Sequence, residues 1–189
     1  EDHIVIGTTE DNGAVLGMGH VRRGGIGVTN VGMLVEDKEG FLPQLKEAFD
    51  QCGFNVKIHE NIQTLIWDKL FTNVSLSALT GVLQVDMGYI AANEYAWDLC
   101  CQLIHETVKT AAAAGLNFDE EKVREKVKNT SINNPNGCTS IRADLRDGRR
   151  TEVDTISGAV VRAAHKYGVE VPGHECIVRL VHAMEGRNK

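Results

Sequence analysis

The feature that most constrains the fold is a single change in the spacing of apolar residues, near residue 60. Before it, short runs with the alternation of a β-strand are separated by glycine-rich turns. After it, apolar residues recur every three to four positions, which is the period of an α-helix. The sequence therefore predicts an α/β part over residues 1–60 and an all-helical domain over residues 61–189. The first part is too small for a complete sheet covered by helices on both faces.

Local patterns divide each part into elements. The α/β part is predicted to hold a helix over 43–52, closed by Gly53, a turn at 22–25, and strands over 3–8, 14–21, 27–32 and 54–59. The helical domain is predicted to have a loop over 131–137 and helices over 62–83, 94–114, 119–128, 140–146, 151–167 and 175–185. The glycines between positions 17 and 27 favour a hairpin over a dinucleotide-binding loop, because no helix follows them.

The composition is that of an ordinary globular protein, with 42% hydrophobic and 24% charged residues. A net charge of −6 argues against general nucleic-acid binding, because phosphate repels an acidic chain. No apolar run approaches the roughly 20 residues that a bilayer requires, and the first residues lack the pattern of a signal peptide. Five cysteines without a Cys-x-x-Cys pair favour a reducing, cytoplasmic setting.

The predicted helix over 62–83 is the most informative stretch for function. At 100° per residue, one polar stripe falls within roughly an 80° arc and consists of Lys69, Asn73, Ser77, Thr80 and Gln84. A second stripe, formed by polar residues 68, 72 and 75, lies roughly 100° away. An ammonium one turn from an amide is suited to binding a carbonyl or carboxylate oxygen. The alternative is a surface lysine with a polar edge.

The second informative stretch covers residues 140–154. Thr151 and Glu152 are predicted at the N-terminus of a helix, where backbone N–H groups favour anions. Glu152 could accept hydrogen bonds from a hydroxyl group there, or it could be only a capping carboxylate.

These two stretches resemble the signatures of one enzyme family. Residues 67–73 read Trp-Asp-Lys-Leu-Phe-Thr-Asn, which resembles the Trp-x-Lys-Leu-x-x-Asn segment of ketopantoate reductases (2-dehydropantoate 2-reductases). Residues 140–154 resemble the second signature of that family, and Gly158, Gly168, Val169 and Pro172 continue it. The glycines of residues 7–32 resemble the end of the family's cofactor domain, so the similarity covers nearly all 189 residues.

The resemblance implies both a fold and a reaction. It implies that residues 1–60 are the C-terminal part of an NADP-binding Rossmann-type domain. Residues 61–189 would then form an all-helical substrate and dimerisation domain, like the C-terminal domain of 6-phosphogluconate dehydrogenase. NADPH would reduce ketopantoate to pantoate, for pantothenate and coenzyme A synthesis.

The resemblance also implies roles for individual residues. Lys69 corresponds to the general acid that polarises the substrate carbonyl, and Asn73 to an asparagine that contacts the substrate. Ser140 corresponds to a serine that binds the substrate carboxylate, and Glu152 to a glutamate that binds substrate and helps to set up the site. Glu106 corresponds to an acidic position that orients the lysine.

Two departures from the family pattern bear on the substrate. Ser77, still a candidate for substrate binding, stands where known members have a second asparagine, and Gly137 where some have an asparagine before the serine. Asn134 or Asn136 could compensate from the loop. A reductase of another branched 2-keto acid is therefore the alternative.

The sequence contains no run that would bind the phosphates of the cofactor, so cofactor-binding residues are not assigned. Because the chain also opens without a methionine, in an apolar run, we expect it to lack roughly the first hundred residues of the family. Alone it would then be an inactive helical association module. We further expect a small-molecule substrate, a homodimer, and neither nucleic-acid nor membrane partners.

Two smaller groups of residues complete the candidates. Cys101 and His105 have the i, i+4 spacing of metal ligands but no evident third ligand, so packing is favoured and no metal is predicted. An apolar group on the helix over 94–114 is expected in the core or at a subunit interface, and consists of Trp97, Leu99, Leu103 and Ile104.

Overall fold

The computed structural model describes residues 4–11, 13–25 and 27–186, with every strand before residue 60 and only helices after it among these residues, as the change of period predicts. Two compact units are present, Glu1–Trp67 and Asp68–Lys189, and they divide within the first helix after residue 60. His3, the predicted start of the first strand, lies outside the described residues. In the part of the chain that the structure describes, no helix is both long and apolar enough to cross a membrane.

A three-stranded sheet forms the centre of the first unit. The strands of this unit are β1 (Val5–Thr9), β2 (Gly13–Gly17), β3 (His20–Arg23), β4 (Val28–Met33) and β5 (Asn55–Ile58). The sheet has the order β1-β4-β5: β1 runs antiparallel to β4, and β4 parallel to β5. Helix α1 (Phe41–Gln51) connects the parallel pair. A small core of Val31, Met33, Leu42 and Val56 lies between this helix and the sheet.

The predicted turn at residues 22–25 is wrong. The chain reverses at Met18 and Gly19, so that β2 and β3 form a separate hairpin, while β4 pairs with β1. Gly19 has a φ of +69°, a conformation that glycine adopts without a Cβ penalty. The predicted strand over 14–21 therefore folds back on itself. In contrast, α1 ends before Gly53, which has a φ of +85°, as predicted.

The second unit is entirely helical in the described residues. Its elements are α2 (Ile62–Thr72), which begins in the first unit, a π-helical segment (Asn73–Ser77), α3 (Ala78–Leu83), α4 (Met87–Ala92), α5 (Glu94–Ala113), α6 (Glu120–Asn133), α7 (Ser140–Arg146), α8 (Ser157–Tyr167) and α9 (Pro172–Glu185). Helix α5 is central, since it contacts the π segment, α4, α6, α8 and α9. Leu103 and Ile104 of this helix lie in the core of the second unit, whereas Leu99 is 48% exposed.

Three helix predictions differ from the structure. Helix α6 continues to Asn133 instead of ending near 128, and the short α4 was not predicted. The predicted helix over 151–167 begins only at Ser157, because Ile156 has φ and ψ of −101° and −95°, outside the helical region. Helix α9 begins three residues early, at Pro172, whose ring favours the first helical turn.

Candidate active site

Lys69 lies in the last turn of α2 and is exposed to solvent. The stripe predicted to include it runs from the surface into the interior: Asn73 is half-buried, and Ser77 and Thr80 are buried. The second stripe is used for packing, since Asp68 forms an ion pair with Lys126 of α6 and Ser75 is buried. The two polar stripes of this helix therefore have different surroundings.

The π segment separates Lys69 from the buried end of its stripe. Over Asn73–Ser77 the helix has a π-helical turn in place of a regular α-helical one. The apolar period did not predict this change. Two hydroxyl groups bind backbone carbonyls at this segment: Ser75, within it, donates to the carbonyl of Phe71 at 2.6 Å, and Thr80, after it, donates to that of Leu76 at 2.7 Å. A π-helical turn adds a residue and rotates the following side chains relative to a regular helix, and such turns are frequent at functional sites.

Ser77, at the end of the π segment, is 4% exposed, and its hydroxyl has no hydrogen-bond partner among the described residues. Three positions further on, the Thr80 hydroxyl lies 2.7 Å from that of Thr139, which caps α7. The π segment and α3 are thereby joined to the N-terminus of α7, where Ser140 is the first helical residue and is exposed. The structure thus brings the segments of Ser77 and Ser140 together.

Glu152 lies in a short turn between α7 and α8. Thr151 caps this turn, because its hydroxyl accepts from the N–H of Val153 at 3.2 Å, but the turn does not continue as a helix. Val153 is fully buried, whereas Glu152 is exposed and its carboxylate has no partner among the described residues. The carboxylate is therefore available to a ligand.

Glu106, predicted to orient the lysine, lies 5% exposed inside the helical unit and contacts the start of α9. Its carboxylate accepts hydrogen bonds from the backbone N–H groups of Gly173 at 2.9 Å and His174 at 3.1 Å, and from the side chain of Gln102 at 3.0 Å. Both oxygens are thus occupied by groups other than the lysine. The role implied by the resemblance stays a prediction.

Residues 61–185 match the family described as ketopantoate reductase PanE/ApbA, C terminal. This match covers the helices that carry Lys69 and Ser140 and the turn that carries Glu152. The chain belongs to this family.

Proteins that are similar in sequence or structure to this chain agree with the family match. The 2-dehydropantoate 2-reductase of Streptococcus pyogenes serotype M6 is 28% identical over 186 residues, which are 98% of this chain and 61% of the relative. That of Pyrococcus horikoshii is 29% identical over 181 residues, 95% of this chain and 60% of the relative. A solved structure of D-mandelate dehydrogenase with NADH and anilino(oxo)acetate has a TM-score of 0.88 and 27% identity, and the match covers 99% of this chain and 61% of that one.

Membership of the ketopantoate reductase family confirms the resemblance and the fold class predicted from the sequence: a small α/β part followed by an all-helical domain. The chain spans about three fifths of the length of the curated relatives it matches.

The sequence reasoning missed several contacts of this ketopantoate reductase domain. The hydroxyl pair of Thr80 and Thr139, and the contacts of α9 with the turn of Glu152, join positions far apart in the sequence. The position of Thr80 on a largely apolar helix is a signal that its hydroxyl needs a partner, whereas no sequence pattern indicates the contacts of α9.

The remaining candidate residues contact other residues of the protein. His105 lies 2.9 Å from Glu120, and no group of three potential metal ligands occurs within the described ranges. A Cβ at Gly137 would lie 2.6 Å from the sulfur of Met87, so an asparagine there would displace that side chain. The Asn134 amide donates to the carbonyl of Thr130.

Proposed function

We propose that this chain is the helical, substrate-binding part of an oxidoreductase that reduces ketopantoate to pantoate, in pantothenate and coenzyme A synthesis, with NADPH as the cofactor. The observation that carries the proposal is the family match over 61–185. It is supported by the position of Lys69, Asn73 and Ser140 in the matched helices and of Glu152 in the matched turn between α7 and α8. Relatives at 28–29% identity are named as oxidoreductases of this type.

In this proposal, residues 1–60 are the end of the nucleotide-binding domain and residues 61–189 are the substrate and dimerisation domain. The loop between β4 and α1 does not suit a dinucleotide phosphate. The loop from β4 to α1 contains Glu36, Asp37 and Glu39, and the Asp37 carboxylate already binds the N–H groups of Phe41 and Leu42 at the start of α1. A pyrophosphate would be repelled there.

The helical residues account for the substrate side of the reaction. As a 2-oxo acid is reduced, negative charge develops on its former carbonyl oxygen, and an ammonium group stabilises this charge and can donate a proton. We assign that role to Lys69. Asn73 would hold the substrate by an amide hydrogen bond, Ser140 would bind its carboxylate, and Glu152 would accept a hydrogen bond from a hydroxyl group.

The replacement Lys69→Ala tests this assignment. Loss of the general acid should lower kcat/KM for ketopantoate by about 10²–10⁴-fold. The assay uses the longest natural form of the protein that carries these residues. Lys109→Ala removes another exposed lysine, from α5, and should change kcat/KM by less than about twofold. Unchanged turnover in Lys69→Ala would refute the role of Lys69.

A second candidate is the reduction of another 2-oxo acid. Ser77 and Gly137 remove two amides that the family pattern places near the substrate, and a structural relative at 27% identity is a D-mandelate dehydrogenase. The ratio of kcat/KM values for ketopantoate, 2-ketoisovalerate and phenylglyoxylate decides between the candidates, and measuring each with NADPH and NADH also determines the cofactor. A preference of tenfold or more for either alternative substrate would replace ketopantoate.

We also propose that these 189 residues alone are inactive and form a homodimer in the cytoplasm. Exposed Tyr95 and Leu99 of α5 support an association surface, and the five cysteines are all unpaired, which suits a reducing compartment. Titration of the chain with NADPH should show no saturable binding, and sedimentation should give twice the mass of the chain.

A further inference from the structure

We infer that His182 and Glu185, at the end of α9, are positioning residues that fix residues 151–154 and thereby present the Glu152 carboxylate to a ligand. The inference rests on the substrate-binding role proposed for Glu152. Neither residue belongs to the two sequence signatures, and both act across a distance in the sequence of about 30 residues.

Glu185 holds the residue that precedes Glu152. One oxygen of its carboxylate accepts hydrogen bonds from both the N–H of Thr151, at 2.7 Å, and the hydroxyl of Thr151, at 2.8 Å. The side chain of Glu185 is only 15% exposed, so that water competes weakly for this contact. Because the same hydroxyl accepts from the N–H of Val153, Glu185 fixes the start of the turn.

His182 holds the other side of Glu152. Its ring bridges two carboxylates: Nδ1 lies 3.0 Å from Glu185, and Nε2 lies 3.0 Å from Asp154. The residues before and after Glu152 are therefore attached to the same helix, through a chain of carboxylate, imidazole and carboxylate.

The arrangement leaves one side chain of the turn unattached. Val153 is fully buried in the helical core, and Thr151 and Asp154 are held by α9, but Glu152 is exposed and has no partner among the described residues. A backbone held on both sides limits the directions that this carboxylate can take. Less conformational entropy of the Glu152 side chain is then lost when a ligand binds it.

Charge makes the attachment dependent on pH. Hydrogen bonds to Glu185 and Asp154 raise the pKa of His182 above its ordinary value of 6.5. Partial burial raises the pKa of Glu185, but hydrogen bonds from Thr151 and His182 outweigh this effect and lower it. The contribution of His182 is therefore complete below pH 6.5 and is lost as the pH rises through its folded-state pKa. That of Glu185 is lost as the pH falls through its own lowered pKa.

Two arginines also face this cluster. Arg150 lies 3.5 Å from the second oxygen of Asp154. Arg162, on α8, lies near Asp154 at Gly158. A Cβ at Gly158 would lie 3.4 Å from the guanidinium of Arg162 and 3.6 Å from an oxygen of Asp154. Both arginines lie on the side of the cluster occupied by Asp154, whereas the His182 ring is the group whose raised pKa gives the attachment its dependence on pH.

Amide hydrogen exchange on the 189-residue chain tests the attachment without any assay of activity. In His182→Gln and in Glu185→Gln, the N–H groups of Thr151 and Val153 should exchange about tenfold faster than in the wild type. Asp154→Asn removes the carboxylate that the imidazole contacts and should raise the exchange rates as much as His182→Gln does. Combining the two variants should raise these rates little further. Amides of α5 should be unchanged in all variants, which shows that the fold is intact.

The matched control is His165→Gln. This change removes another exposed pair of an imidazole with a carboxylate of α9, Glu175, far along the helix from residue 185. It should leave the exchange of Thr151 and Val153 unchanged. In the wild type, protection of these amides should fall as the pH rises through the midpoint measured for the His182 ring by NMR. Exchange at wild-type rates in both His182→Gln and Asp154→Asn would overturn the inference.

The longest natural form of the protein then tests the consequence for substrate. His182→Gln should raise KM for the 2-oxo acid by about tenfold and change kcat less, because the carboxylate that binds substrate is no longer held. Faster exchange with this change in KM supports the inference in full. Faster exchange without it would retain the attachment and refute the binding role proposed for Glu152, so the two failures are distinguishable.

Discussion

The carboxylate of Glu106 takes the place that the N-cap side chain of a helix normally fills. The N-cap of α9 is Val171, which has no polar side-chain atom, and Pro172 follows it at the first helical position. Glu106, 67 residues away in the sequence, accepts the N–H of Gly173 instead. A Cβ at Gly173 would lie 2.9 Å from this carboxylate, so the glycine makes the contact possible. The residue is therefore a link between α5 and α9.

Replacing Glu106 should affect stability more than catalysis. In Glu106→Ala, the half-buried N–H of Gly173 and the buried N–H of His174 lose their acceptor, which should lower the free energy of unfolding by about 2 kcal/mol. Urea unfolding followed by circular dichroism measures this change. Glu121→Ala, at a side chain that is 84% exposed, should change it by less than about 0.5 kcal/mol. Wild-type stability together with a loss of kcat would instead support the orienting role implied by the resemblance.

Single residues were predictable from the sequence where their partners are near in the chain. Gly53, Gly115 and Gly168 follow predicted helices and have positive φ angles, as helix C-termini favour. The contacts of Glu106 and Glu185 were not predictable, because a carboxylate in a helix has the same local pattern whether it is solvated or caps another helix. Only the packing of α9 distinguishes these cases.

At the scale of elements, the π segment shows what an apolar period can and cannot predict. The period predicted continuous helix over 62–83, and both ends agree with α2 and α3. The same pattern does not reveal the wider turn over Asn73–Ser77, in which Val74 and Leu76 are buried in the core. Since the extra residue changes the direction of Ser77, the arc calculated at 100° per residue no longer applies beyond Asn73.

The packing of α3 against α7 gives a prediction for Gly81. A Cβ at this position would lie 2.4 Å from Cγ2 of Ile141, which directly follows Ser140. Gly→Ala normally stabilises a helix by about 0.5–1 kcal/mol. Here the overlap should reverse the sign, so that Gly81→Ala lowers the free energy of unfolding by about 1–3 kcal/mol. Thermal unfolding measures the change.

Two further variants examine the cause of that loss. Gly186→Ala places a Cβ in open space after α9 and should be neutral within about 0.5 kcal/mol. Combining Gly81→Ala with Ile141→Ala removes the overlapping methyl group, and the double variant should lose less stability than the sum of the single losses. Additive losses would show that the close approach of α3 and α7 is not the cause.

At the scale of the whole molecule, each compact unit has its own core. The buried apolar residues of the first unit that cluster together are Val31, Met33, Leu42 and Val56, while the core of the second unit contains 21 buried residues from the described part of the chain. The change of apolar period near residue 60 predicted an α/β unit followed by a helical unit. A period of two residues buries one face of a strand, whereas a period of 3.6 residues buries one face of a helix. The change of period did not predict the small size of the first core.

These two cores predict two unfolding transitions. Because buried apolar area sets most of the stability of a unit, the first unit should unfold at lower urea concentration than the second. Leu42→Ala should cost about 2–5 kcal/mol in the first transition and leave the second unchanged, while Ile104→Ala, at a fully buried residue of α5, should do the reverse. Hydrogen exchange followed by mass spectrometry assigns each transition to its segment. A single transition that both variants shift equally would show that the two cores unfold as one.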